Sequence, residues 1–239
     1  MSAEQEDFAM LENVTPLKKE TLQALVHQRL CDLILQGEIA PGESVTVASI
    51  AKALNVSPMP VREAISRLMA LGALTVVSGR SIGVPVLGAA QLEDLRRVRS
   101  EIEASAVTWA VANRSAAFEK RLEELLERME DAEARGQVRD FIHRNYEFHF
   151  AIYAQAGSAL MLEIIGTLWL RINPQFHLLQ RHGHYKASNR QHRALYERIC
   201  AGDADGAVSA LREDIDSAYA VLVRTLEERG SRAGQTLAR

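Results

Sequence analysis

Proline constrains this chain more than any other residue type. Five of its six prolines and six of its fourteen glycines fall within residues 1–88, whereas residues 89–239 carry one proline, Pro174, and eight glycines. Proline lacks a backbone donor and clashes inside a helix, at a cost of about 3 kcal/mol. The second part is therefore free to be almost continuous helix, while the first must turn often. An aromatic content of 5% also leans away from a β-sandwich. The 239 residues allow two modest domains, each with its own core. A hydrophobic share of 47% with 25% charged residues excludes a disordered chain or a collagen. Cys31 and Cys200 lie far apart and read as free thiols of a reducing compartment. Residues 1–10 lack an apolar run, and the uncharged stretch Phe148–Leu162 is too short and polar to span a bilayer. The expectation is a soluble cytoplasmic protein without membrane attachment.

The first part reads as three helices and a hairpin. Residues 1–13, with Glu4, Glu6, Asp7 and Glu12, form an expected acidic disordered tail. Thr15 and Pro16 start a helix with the stripe Leu22, Leu25, Val26, Leu30, Leu33 and Ile34, which Gly37 stops. Thr46 caps a second helix carrying Val47, Ile50, Ala51 and Leu54, and Asn55 suits a left-handed turn residue. Ser57 caps the third, which buries Val61, Ala64, Ile65 and Leu68. Leu74–Val77 and Ile82–Val86 flank Gly79 and Arg80 at a hairpin tip. This order is that of a winged helix-turn-helix, expected over residues 14–86.

The third helix leaves Met59, Arg62, Glu63 and Ser66 on its outer face. Arg62 lies near the N-terminal end that such helices insert into the major groove, where a guanidinium can bond a guanine edge twice. Ser57 and the free N–H groups at the helix start can hold a phosphate. Arg80 can reach backbone or minor groove. The alternative is a surface helix whose Arg62 meets only Ser66 or solvent.

The segments Gly37–Glu43, Ile50–Ser57 and Pro60–Leu68, above all Val56–Ala64, resemble the N-terminal domain of GntR-family bacterial transcription regulators. The resemblance covers about residues 17–86. It implies a homodimer on a short palindromic double-stranded DNA operator, with Arg62 as base reader and Gly79 at the wing tip. Ala48 and Pro58 stand where many members carry arginine, so two DNA contacts of those members are absent.

After a linker at 87–90, residues 91–229 hold about six amphipathic segments, near 91–113, 115–135, 137–156, 158–181, 187–201 and 204–228, with Pro174 expected to kink or break the fourth. A frayed tail is expected at 230–239. The apolar periodicity turns Asn145, His149, His192 and Asp214 inward. Two imidazoles, a carboxylate and an amide can close around a divalent cation, although a buried histidine can equally be a hydrogen-bonded core residue. Arg99 also faces inward. It either pairs with Glu103 four residues on or anchors a ligand carboxylate. Trp169 and Arg171 are candidates for the same cavity.

Val98–Glu103, Asn145–His149, Gln191–Tyr196 and Ala201–Asp203 resemble the FCD effector domain of FadR-type GntR regulators. The resemblance implies an antiparallel bundle of six or seven helices that senses a small organic acid. It also implies a metal held by Asn145, His149 and His192, with Asp214 at a position usually filled by histidine. Carboxylate remains a competent ligand for Zn, Mn or Ni. His177, His182 and His184 match no ligand position.

The expected protein is mainly α: a ligand-responsive regulator, by default a repressor. A helical metalloenzyme and a non-sensing helical interaction protein are the alternatives. The net charge of −3 divides as +2 for residues 14–88, −4 for the tail and −1 for the remainder. It speaks against a general polyanion binder, not against a few well-placed arginines.

Overall fold

The computed structural model describes residues 22–177 and 188–237. The acidic tail, the Thr15–Pro16 cap, and His182 and His184 lie outside the described residues. Helix α1 (Leu22–Leu35) buries Val26, Leu30, Cys31 and Ile34. Leu22 and Leu25 are about half exposed, against expectation, because the buried stripe begins only at Val26. Strand β1 (Val45–Thr46) leads into α2 (Val47–Leu54). The Thr46 hydroxyl accepts from Ser49 N–H, the Ser49 hydroxyl accepts from Thr46 N–H, and the two close a capping box. Asn55 ends α2 in the left-handed region at φ 53°.

Helix α3 (Pro58–Ala70) buries Pro60, Val61, Ala64, Ile65 and Leu68. Its two prolines sit in the first turn, where no intrahelical N–H is needed. Ser57 occupies the N-cap position, yet its side chain makes no capping bond. Strands β2 (Thr75–Ser78) and β3 (Ser81–Gly83) form the wing. β1 pairs with β3 as well, giving a small antiparallel sheet in the order β1-β3-β2. Nothing in the local pattern marks β1, since two residues carry no periodicity.

The second part is helical. It comprises α4 (Ala89–Ala112), α5 (Ala116–Ala134), α6 (Val138–Gln155), α7 (Ala159–Phe176), α8 (Ser188–Ala201) and α9 (Ala204–Leu237). α9 packs on α4 and α8, α5 on α6 and α8, and α7 against α4 and α6. The core holds Leu92, Leu122, Leu125, Leu126, Met129, Phe148, Ile152, Tyr153 and Trp169, all fully or nearly fully buried. Each such side chain contributes about 1.5–3 kcal/mol. α7 continues two residues past Pro174, because a proline in the last turn removes only one bond of the ladder. α9 runs through Gly230 and Gly234 to Leu237, where a frayed tail was expected. Isolated glycines weaken a helix by only about 1 kcal/mol each.

Two hydrophobic cores result, and α7 serves both. Trp169 belongs to the helical core, while Leu170 packs among the buried residues of the winged helix. Past Leu170, Asn173 donates to the Leu35 carbonyl at 2.6 Å and Gln175 to the Pro85 carbonyl at 2.9 Å. The His177 ring lies directly on Gly37, whose φ of +70° and close neighbour leave no room for a Cβ. Arg139 of α6 adds an ion pair to Glu38 at 3.4 Å.

Candidate metal centre and nucleic-acid interface

The outer face of α3 is open. Met59 is 63% exposed, and Arg62 and Ser66 are exposed beside it. Arg62 makes no hydrogen bond or ion pair among the described residues, so the alternative pairing with Ser66 does not form. Ser57 is exposed with its hydroxyl free of capping duty. Gly79 turns the wing at φ 51° with nothing near its α-carbon side, and Arg80 is exposed next to it. Buried Val61, Ala64, Ile65 and Leu68 hold α3 in place from behind. The result is a helix with a free N-terminal face flanked by a wing, which is the form that enters a major groove.

Inside the helical part, α6, α8 and α9 bring three side chains to one point. His149 Nε2 and His192 Nε2 lie 3.2 Å apart. Asp214 presents one carboxylate oxygen to each, at 3.3 Å from His149 and 3.4 Å from His192. All three residues are buried. Burial holds the His149 pKa below 6.5, with Asp214 opposing it. Burial by itself would raise the pKa of Asp214, but the facing His192 and His149 rings hold it well below the usual carboxylate range. Asp214 is therefore a carboxylate facing two imidazole nitrogens.

The donor set fits a divalent cation. Zinc–nitrogen and zinc–oxygen bonds of about 2.0–2.2 Å in a tetrahedron set neighbouring donors about 3.3–3.6 Å apart. The two imidazole nitrogens, 3.2 Å apart, lie just under that spacing, and each meets a different Asp214 oxygen, at 3.3 and 3.4 Å. Asn145 is buried one turn before His149 on α6, the expected direction for a fourth donor.

Arg99 is placed differently from a free ligand anchor. It is 5% exposed, and its Nε donates to Glu103 Oε1 at 2.6 Å and its terminal nitrogen to Oε2 at 3.2 Å. Burial works against its charge, and the contact with Glu103 more than offsets that. A guanidinium left bare inside a core would be too costly, so the i, i+4 pair forms. Trp169 stands 5.0 Å beneath Arg99 and donates from Nε1 to Glu103 Oε1 at 3.1 Å. Arg171, two residues on, projects from another side of α7 and lies against Gly72 of the winged helix. Trp169 and Arg171 therefore do not share a cavity. Arg99 and Arg96 border a cleft with room for about one water molecule, closed by Ile215 and Tyr219.

Sequence reasoning missed Tyr153, which joins this group from α6. Its hydroxyl lies 2.5 Å from Glu103 Oε2 and 3.2 Å from His149 Nδ1. Its spacing of four from His149 was the available signal. The junction residues Leu170, Asn173, Gln175 and His177 were also missed, and nothing in their local pattern marks them.

Residues 22–84 match the family of bacterial regulatory proteins named for GntR, and residues 94–217 match the FCD domain family. The chain belongs to the GntR family, FCD subfamily. The HTH-type transcriptional regulator McbR of Escherichia coli K12 is 32% identical over 214 residues, covering 86% of this chain and 95% of McbR. The solved structure of E. coli McbR/YncC superposes with a TM-score of 0.81 at 29% identity, covering 87% of this chain and all of that one. A GntR regulator from Rhodococcus sp. RHA1 shares the fold, with a TM-score of 0.69 at 24% identity over 84% of this chain and 97% of that one. This GntR regulator thus carries a DNA-binding domain and an effector-binding FCD domain. Its family and relatives are transcription regulators rather than enzymes, so the metalloenzyme alternative falls. No helix among the described residues is long and apolar enough to cross a membrane.

Proposed function

We propose that the protein is a cytoplasmic repressor that binds a palindromic operator as a homodimer and releases it on sensing a small organic acid. The observation that carries this reading is the buried convergence of His149, His192 and Asp214 inside the effector domain. Asn145, His149, His192 and Asp214 would hold a divalent cation such as Zn, Mn or Ni. Such a cation supplies positions for the oxygens of an acid. On the DNA side, Arg62, Met59 and Ser66 read bases, Ser57 and the α3 N-terminus hold a phosphate, and Gly79 and Arg80 carry the wing contact.

The connection between the two sites runs through α7. Trp169 bonds Glu103 within the sensor, and the next residue, Leu170, lies in the winged-helix core. An acid bound in the bundle changes DNA affinity only by favouring one placement of α7 over another, with a typical coupling of about 1–3 kcal/mol.

Fluorescence anisotropy with duplexes selected by the protein from a random pool tests this reading. A salt-sensitive, sequence-dependent complex is expected. Organic acids screened with Zn²⁺ present should weaken it. A protein that enriches no sequence from the pool is not the proposed repressor.

A further inference from the structure

His149 can offer its Nε2 lone pair to a cation only if its proton sits on Nδ1. Which nitrogen carries the proton is set by the bond the other one makes. Here Nδ1 faces the Tyr153 hydroxyl at 3.2 Å. A phenol has one hydrogen, so its direction decides what Nδ1 must be.

That direction follows from Glu103. Its Oε1 takes Arg99 Nε at 2.6 Å and Trp169 Nε1 at 3.1 Å. Its Oε2 takes Arg99 at 3.2 Å and Tyr153 at 2.5 Å. Arginine and tryptophan nitrogens only donate, so Glu103 accepts from both sides and has no hydrogen to give back. The Tyr153 hydrogen therefore points to Glu103, and its oxygen is left to accept from His149 Nδ1–H. The Nε2 lone pair then faces His192 Nε2 at 3.2 Å and Asp214 Oδ2 at 3.3 Å, where a cation between them takes the place of an Nε2–H bond to that carboxylate.

We propose that Tyr153 is a positioning residue for the cation site: held by Glu103 and Arg99, it keeps His149 in the Nδ1–H tautomer. The proposal rests on the reading of His149, His192 and Asp214 as ligands. It gives the buried Arg99–Glu103 pair a purpose, since such pairs by themselves contribute little to stability. Partners of this kind orient a ligating imidazole, and their loss typically weakens metal affinity about 10–100-fold.

Two measurements on the full chain test it. The first is a long-range ¹H–¹⁵N spectrum of histidine-labelled protein without metal. His149 should give the Nδ1–H pattern in the wild type and a mixed pattern in Tyr153→Phe. An Nε2–H pattern in the wild type overturns the proposal, whether or not the variant folds. The second is competition for Zn²⁺ against a chromogenic chelator. Tyr153→Phe and Glu103→Gln should each bind about 10–100-fold more weakly than wild type. Equal affinity in Tyr153→Phe and wild type overturns the positioning role and leaves the cation site standing. A wild type that binds no Zn²⁺ removes the cation site, and the proposal with it.

Discussion

The side-chain amide of Asn173 on α7 donates to the main-chain carbonyl of Leu35, the last residue of α1, at 2.6 Å. One residue of the effector domain thus holds the end of the first helix of the winged-helix domain. The carbonyls of a helix C-terminus lack intrahelical partners, so an outside donor is what Leu35 needs. Asn173 is fully buried, which ties the bond to the packing around it.

Asn173→Ala should therefore loosen the contact between domains at a cost of about 1–3 kcal/mol. Limited proteolysis at the junction should become faster while the winged helix keeps its fold. The response of DNA affinity to a bound acid should shrink in the same variant. An unchanged response, measured by anisotropy at several acid concentrations, would show that the coupling runs elsewhere.

Arg62 and Arg80 should fail in different ways. With Arg62 as the proposed base reader, affinity of Arg62→Ala for the selected duplex should drop by about 1–3 kcal/mol with little change on random DNA. Arg80→Ala at the wing tip should weaken both duplexes alike and flatten the salt dependence. Identical losses for both variants on both duplexes would contradict the assignment of Arg62.

Purified wild type should carry a divalent metal that the His149→Ala, His192→Ala double variant lacks, measured by elemental analysis. Asp214→Asn should retain less than wild type, because the amide lacks the carboxylate's charge. Equal metal in all three proteins would take the ligands away from this cluster.

His177 makes the domain contact sensitive to acid. Burial chiefly, with Arg139 adding, holds its pKa below 6.5, while a bond to Leu35 and nearby Glu38 pull the other way. The unfolded ring takes up a proton near 6.5 and the folded ring resists, so the unfolded state binds more protons as pH falls. The stability His177 provides is complete above about 6.5 and is lost as pH drops towards its folded value. Urea midpoints at pH 7.5 and 5.5 should thus fall further in wild type than in His177→Gln. Equal falls would mean that His177 is not the responsive group.

Much of the fold is written in local pattern. Thr46, Asn55, and the buried face from Val61 to Leu68 announce the helix-turn-helix, because caps and helical periodicity act over only a few residues. Asn145, His149, His192 and Asp214 were visible as inward-facing polar residues for the same reason. The pairing of Arg99 with Glu103 was one of two open alternatives, and the cost of burying a bare guanidinium decided it. The neighbouring assignment of Arg171 had no such local constraint, and the residue lies at Gly72 instead.

The sequence by itself therefore determined the buried faces of most helices and which residues lie on the open face of α3. Only the tertiary structure decided that Glu103, Tyr153, Trp169 and His149 form one buried network, and that Leu170, Asn173, Gln175 and His177 hold the winged helix. The contacts of Tyr153 with Glu103 and of Asn173 with Leu35 join residues 50 and 138 positions apart. Periodicity fixes the direction a side chain takes from its own helix. The partner it meets depends on how the helices pack.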